Sequence, residues 1–204
     1  MARGAKEEHA MNTGMTKVSV HITGVTPCIM HNGQSANPLN DFAKAMKAIT
    51  DKHDKTDEDQ EALAKLQLES SFYIDGEGRP CWPGENIQGG IVSAAKKLNK
   101  GTVAKTAVTC DGLWPIIHDG PKHYKDLMND PRFIDGRIVK VGRARVMRTR
   151  PIFRNWSLAF DIHVIEQRLD LNIVEEIMNI FGEQIGLSDF RPKYGRFLVD
   201  SFKV

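Results

Sequence analysis

Gly78-Arg79-Pro80-Cys81-Trp82-Pro83-Gly84-Glu85-Asn86-Ile87-Gln88-Gly89-Gly90-Ile91-Val92-Ser93-Ala94-Ala95 reads as a strand end, a Pro-Gly corner and a helix that opens on small residues. The first N–H groups of a helix have no partner inside it, and glycine there lets another backbone or a phosphate come close. From about Gly84 to Leu98, the residues Ile87, Ile91, Ala94, Ala95 and Leu98 fall on one face, which gives the helix a side to bury.

Upstream, Val18, Val20 and Ile22 alternate with Lys17, Ser19 and His21, the pattern of a half-buried strand. Its continuation from Val25 to Met30 runs into the loop His31–Asn37. A helix is expected after Asn37, with Asn37 as cap, Pro38 at the first position and Asp41 in the first turn. Thr56-Asp57-Glu58-Asp59 is a capping signal for a second helix through Leu68. These helices, roughly 38–69, read as an insertion, and Phe72-Tyr73-Ile74 as a short strand after it.

Downstream, a strand fits Thr106 to Cys110, extended by Leu113 to Ile117, and a short helix fits Tyr124 to Met128. Two long strands follow, Arg137 to Arg150 and Trp156 to Val164, the second alternating cleanly through Trp156, Leu158, Phe160, Ile162 and Val164. A helix over Asn172–Ile185 ends at Gly186, and a strand from Arg196 to Val204 closes the chain. Without the insertion the order is β, α, β, β, β, α, β, close to the split βαβ arrangement of ferredoxin-like and RNA-recognition folds. The expected class is α+β: an antiparallel sheet with two packed helices and an inserted helical segment. Residues 1–16 read as a flexible arm and 17–204 as one domain.

An apolar share of 41% and a charged share of 26% are those of a globular domain, and 204 residues bury one substantial core. The net charge of +2 is too small to demand a polyanionic partner, so placement of charge decides. Cys28, Cys81 and Cys110 form no Cys-x-x-Cys pair and have no histidine set beside them, which argues for reduced, buried thiols in a cytoplasmic protein and against zinc. No apolar run reaches a membrane span. No phosphate-loop, dinucleotide or Gly-x-Ser-x-Gly signature is present, so no cofactor is expected.

Between Arg137 and Arg154 lie Arg137, Lys140, Arg143, Arg145, Arg148, Arg150 and Arg154, with one acid-free stretch joining them. In a strand, Arg143 and Arg145 share a face and Arg148 and Arg150 the opposite one, with Gly142 a site for a bend. Charge on an edge strand also serves to block aggregation, but lysine would suffice. The excess of arginine favours phosphate, which the planar guanidinium fork grips with two bonds. Phe153 and Trp156 are candidates to stack bases, with core packing the better reading for Trp156.

The corner Pro80-Cys81-Trp82-Pro83-Gly84-Glu85-Asn86-Ile87-Gln88-Gly89-Gly90-Ile91-Val92, the closing segment Gly186 to Phe197 with Arg191, Tyr194, Gly195 and Arg196, and the strand running into His31-Asn32-Gly33 resemble the RAMP superfamily. The likeness is to the backbone subunits of CRISPR effector complexes, and to phage or prophage proteins of that pattern. Gln88 stands where that family usually has lysine, and Glu85-Asn86 replaces a Ser-Ser pair. The resemblance implies a subunit stacking head to tail, as a homo-oligomeric filament with effector-complex partners, along single-stranded RNA or DNA. Its candidate contacts are Gly84, Gln88, Gly89 and Gly90 at the helix start, Arg191, Lys193 and Arg196 in the closing loop, and Arg143, Arg145, Arg148 and Arg150, part of them on a thumb-like hairpin. Alternatives are a phage single-strand-binding or annealing protein, a structural assembly protein, and a metal-assisted endoribonuclease using Asp41 beside His31. Against the last, Asp41 is where a carboxylate stabilises a helix N-terminus.

Overall fold

The computed structural model describes residues 14–204. The expected arm therefore falls almost wholly outside the described residues, and Thr16 already belongs to the first strand. In chain order the first elements are β1 (Thr16–Gly24), β2 (Cys28–Ile29), α1 (Asp41–Thr50), α2 (Asp57–Ser70), β3 (Cys81–Pro83) and α3 (Gly84–Ala95). Then come α4 (Gly101–Ala107), β4 (Val108–Thr109), β5 (Leu113–Pro115), β6 (Ile117–His118) and α5 (Tyr124–Leu127). The chain closes with β7 (Ile134–Val141), β8 (Ala144–Phe153), β9 (Trp156–Val164), α6 (Leu171–Ile180) and β10 (Phe197–Lys203).

The main sheet has the order β10-β1-β9-β4, with β6 continuing along the same edge of β9. All its pairings are antiparallel. With α3 after β1 and α6 after β9, this is the ferredoxin-like α+β arrangement. Register follows the apolar alternation: Val18 faces Ile162, Val20 faces Phe160 and Ile22 faces Leu158 across β1 and β9. These six are essentially inaccessible and share one core cluster with Ile87 and Ile91 of α3 and Val174 and Ile177 of α6. A methyl group on Gly90 would run into the Phe181 ring, so glycine there sets how closely α3 meets the turn after α6.

The opposite face of β1 and β9 carries Lys17, Ser19, His21 and Thr23 beside Ser157, Ala159, Asp161 and His163. On these two strands it contains no phenylalanine, tyrosine or tryptophan, and its carboxylates are engaged. Asp161 accepts from Ser19 at 2.7 Å and pairs with Lys17 at 2.8 Å, while Asp200 accepts from Thr23 at 2.6 Å.

Several elements differ from expectation. The first helix is capped by Asn40, which accepts from the Phe42 amide at 2.9 Å, and Asn37 instead turns the chain by accepting from Leu39. Of the strand expected over Thr106–Cys110 only Val108–Thr109 forms, as β4; Thr106 and Ala107 are the end of α4, because Ala104 and Ala107 recur at helical spacing and are both buried. Leu113–Pro115 does not extend β4 but pairs with β3, and Phe72–Ile74 is reduced to one bridge between Ile74 and Pro80. The Thr56–Asp59 capping box forms as the sequence indicates.

Arg137–Arg150 is not one strand. It is the ribbon β7–β8, turned at Gly142-Arg143, where Gly142 takes φ +59°. β2 supports only the base of the ribbon, through Cys28 opposite Phe153 and Ile29 opposite Ile152. Beyond it, the Thr149 amide donates to Gln67 Oε1 of α2 at 2.9 Å, so the inserted helix buttresses the ribbon where the sheet stops. Phe153 is fully buried and Trp156 is 4% exposed, its indole N–H bonded to the Thr26 carbonyl at 2.9 Å. Neither is free to stack a base.

His118 lies between Phe133 and Phe153, with ring centroids 5.4 and 5.1 Å away, and burial lowers its pKa from the ordinary 6.5. The folded state then holds the neutral ring, whereas the unfolded chain takes up a proton below about pH 6.5. Stability contributed by His118 is therefore complete above that pH and is lost as pH falls toward its folded pKa. His118→Phe is expected to flatten this decline in urea unfolding measured between pH 7.5 and 5; an unchanged slope would contradict the assignment.

Candidate nucleic-acid interface

A cleft of about 310 Å³ opens between the start of α3 and the closing loop, lined by His31, Trp82, Asn86, Gly89, Leu187, Ser188, Asp189 and Arg191. One wall is built by the Pro83-Gly84 corner. Pro83 gives α3 no side-chain cap, so the amides of its first turn depend on other partners. The other wall is the loop Gly186–Arg196, pinned at its base by Leu187 N–H to the Gly195 carbonyl at 2.8 Å and by Gly195 N–H to the Pro27 carbonyl at 2.8 Å. Asp189 N–H and the Ser188 hydroxyl both donate to the Ile29 carbonyl, at 2.8 and 3.0 Å.

The ribbon meets this loop through Arg150, whose side chain is 6% exposed and pairs with Asp189. Its Nε and Nη2 are buried without a partner. A guanidinium withdrawn from water in this way depends on the Asp189 carboxylate for its charge compensation. On the same face of the ribbon, Arg137 chelates Asp135, with Nε to Oδ2 at 2.6 Å, and lies over the Tyr194 ring at 4.6 Å and the Phe190 ring at 5.7 Å. His31 Nδ1 is 3.3 Å from the Ser71 hydroxyl. Burial lowers the His31 pKa; Asp189 opposes this, and Arg150 and Arg148 add to it. Arg148 stands opposite Arg137, on the ribbon face it shares with Arg150, and no carboxylate among the described residues pairs with it.

The structure puts Gly89 and Arg191 in the lining of this cleft and Arg150 behind it through Asp189, places Arg148 on the same ribbon face as Arg150, and leaves other candidates elsewhere. Gly84 is closed off: its amide donates to the Gly112 carbonyl at 2.8 Å, and a methyl there would collide with the Cys110 carbonyl. Gly90 faces Phe181, while Gly89 is exposed with open space around it. Gln88 turns toward β4 and accepts from the Cys110 amide at 3.4 Å. Arg143 occupies the ribbon tip. Arg145 lies on the face opposite Arg148, beside Lys140 and the exposed pair Ile138 and Met147. Lys193 and Arg196 sit on the closing loop, Lys193 over the Tyr194 ring at 5.9 Å and Arg196 donating to the Pro192 carbonyl at 2.9 Å. Asp41 is fully exposed at the start of α1, 3.4 Å from Lys44, and lies outside the cleft. Sequence reasoning missed Asn86, Ser188, Asp189 and Phe190. Asp189 meets Arg150 across 39 positions, which no local spacing reveals.

All three cysteines are free and buried, and burial raises the thiols, those of Cys81 and Cys110 to about 12. Among the described residues no group of three or more His, Cys, Asp or Glu side chains is placed to hold a metal ion, and no helix is long and apolar enough to cross a membrane.

No family model and no curated protein matches this sequence. Among solved structures, the chain is similar to one in the cryo-electron-microscopy structure of the Type III-B Cmr-beta bound to cognate target RNA. The two are 14% identical with a TM-score of 0.50, over 93% of this chain and 60% of that one. At that identity the likeness speaks for the fold alone.

Proposed function

We propose that this protein binds single-stranded nucleic acid, RNA in the first instance, along the cleft between the α3 corner and the closing loop. The proposed role is that of a RAMP-type backbone subunit holding the strand without reading its sequence. The observation that carries this reading is that Arg191 and the open Gly89 line one cleft backed by the buried, under-bonded Arg150, with the unpaired Arg148 on the same face of the ribbon as Arg150. Lys193 and Arg196 continue the charge along the loop, and Arg143 extends it to the ribbon tip. Guanidinium and ammonium groups around an open glycine suit a phosphodiester backbone. The RNA-bound complex of similar fold supports RNA over DNA. The outer face of the main sheet, without phenylalanine, tyrosine or tryptophan on β1 and β9 and with its carboxylates engaged, suits this role less well.

The test is a mobility-shift titration of wild type and the Arg148→Ala/Arg191→Ala double variant against several unstructured RNA sequences. Loss of two phosphate contacts should make the dependence of log affinity on log salt shallower by about 1.4, equally for every sequence. A loss confined to one sequence would indicate base readout and contradict the reading.

Head-to-tail assembly belongs to the same proposal. Ile138 and Met147 face each other across the ribbon and are 65% and 58% exposed, an apolar pair suited to a neighbouring copy. Ile138→Ser with Met147→Ser is expected to abolish self-association in sedimentation on RNA while leaving the circular dichroism spectrum unchanged; persistence of the oligomer would remove this role for the ribbon.

A further inference from the structure

Phe190 stands apart from the other large aromatic residues of the closing half of the chain. Phe133, Phe153, Trp156, Phe160, Phe181 and Phe197 are at most 4% exposed and Tyr194 and Phe202 are half-buried, whereas Phe190 is 47% exposed at the rim of the cleft, between the lining residues Asp189 and Arg191. Its backbone takes φ +67°, a left-handed conformation that costs free energy for a bulky aromatic residue and that glycine or asparagine would adopt more readily. Core packing does not explain its presence, because the ring is outside the core cluster.

The ring is held from behind. Tyr194 packs against it edge-on, with centroids 6.2 Å apart and planes at 75°. The Arg137 guanidinium lies over both rings and is itself fixed by two bonds to Asp135. The Asp135 carboxylate first, and then Tyr194, raise the pKa of Arg137, so this support keeps its charge. The loop carrying Phe190 is fastened through Ser188 and Asp189 to the Ile29 carbonyl and through Asp189 to Arg150. A ring presented by a pinned loop loses little freedom when a flat ligand covers it.

We infer that Phe190, braced by Tyr194 and Arg137, is a stacking platform for one unpaired nucleobase, whose phosphate is taken by the adjacent Arg191. This rests on the nucleic-acid reading above and gives it a specific subsite. Stacking on a π-face is open to any of the four bases, so the platform holds the strand without selecting its sequence. Arg137, neutralised by Asp135, serves as a support for the rings and not as a phosphate ligand.

The test compares Phe190→Gly, Phe190→Leu and Phe190→Trp with wild type, using a single-stranded RNA oligonucleotide and an oligonucleotide of equal length made of abasic residues. Phe190→Gly relieves the left-handed backbone, so its thermal midpoint should equal or exceed that of wild type while its affinity for the ordinary RNA falls about tenfold, as expected for one lost base stack. Phe190→Leu should lose as much, and Phe190→Trp should keep wild-type affinity. Affinity for the abasic strand should be the same in all four proteins. Equal binding of the ordinary RNA by wild type and Phe190→Gly, or an equal loss on both oligonucleotides, would overturn the platform and leave the phosphate cleft standing. Absence of salt-dependent binding of either oligonucleotide by wild type would overturn both.

Discussion

Gly84→Ala is expected to destabilise the protein by about 3 kcal/mol, the upper range for overpacking a rigid site. The added methyl group would overlap the carbonyl of Cys110 and crowd that of Asp111, which are backbone atoms and cannot rotate aside. The same backbone approach lets the Gly84 amide donate to the Gly112 carbonyl at 2.8 Å, so the substitution also lengthens a buried hydrogen bond. Gly89→Ala one turn later is the matched control, because a methyl there meets nothing and an alanine is the better helix former. Urea unfolding of the two variants should differ by several kcal/mol in opposite directions from wild type. Equal stability of Gly84→Ala and wild type would show that the corner is not packed as described.

Asp189→Ala should cost about 2–3 kcal/mol, toward the low end for breaking a buried ion pair because the Asp189 side chain is 37% exposed. Its partner is the reason for the size. Arg150 would be left charged, 6% exposed and with two further nitrogens already without partners. Arg150→Met with Asp189→Ala removes both charges and should recover much of the loss, since an apolar side chain of similar length fills the site without a desolvation penalty. A double variant no more stable than Asp189→Ala would mean that the pair contributes through shape and not through charge. Asp189→Ala should also loosen the closing loop, measurable as faster amide exchange at Asp189 and Phe190 while the main sheet keeps its protection.

Much of the fold was legible because its signals are local. The alternation from Trp156 to Val164 fixes β9 and which face it buries, and the Thr56–Asp59 box fixes the start of α2. The order of strands and helices was enough for the ferredoxin-like class. Errors arose where one local pattern admits two structures. The strand expected from Thr106 begins only at Val108, because packing of Ala104 and Ala107 into the core carries the helix through Ala107. The acid-free run from Lys140 to Arg150 resembles one long strand because Gly142-Arg143 is an uncommon hairpin turn.

The candidate site was legible only in part, for a different reason. Glycines at a corner mark close approach but not what approaches. At Gly84 it is backbone, at Gly90 a phenyl ring, and only at Gly89 open space. Arginines on a ribbon alternate between faces, so the residues beside one another in sequence, Arg143, Arg145 and Arg148, end at the tip, on one face and on the other. The contacts that assemble the cleft, Arg150 with Asp189 and Ser188 with Ile29, join distant segments and leave no periodic trace.

The central claim is that the cleft and the cations leading from it hold a polyanionic single strand. Fluorescence anisotropy of an unstructured, end-labelled RNA, titrated with wild-type protein at a series of salt concentrations, tests it most directly. With Arg143, Arg148, Arg191, Lys193 and Arg196 each neutralising a phosphate, log affinity should fall with log salt at a slope near about −3.5, at roughly 0.7 per single-strand contact. No binding at low salt, or an affinity that does not change with salt, would contradict it.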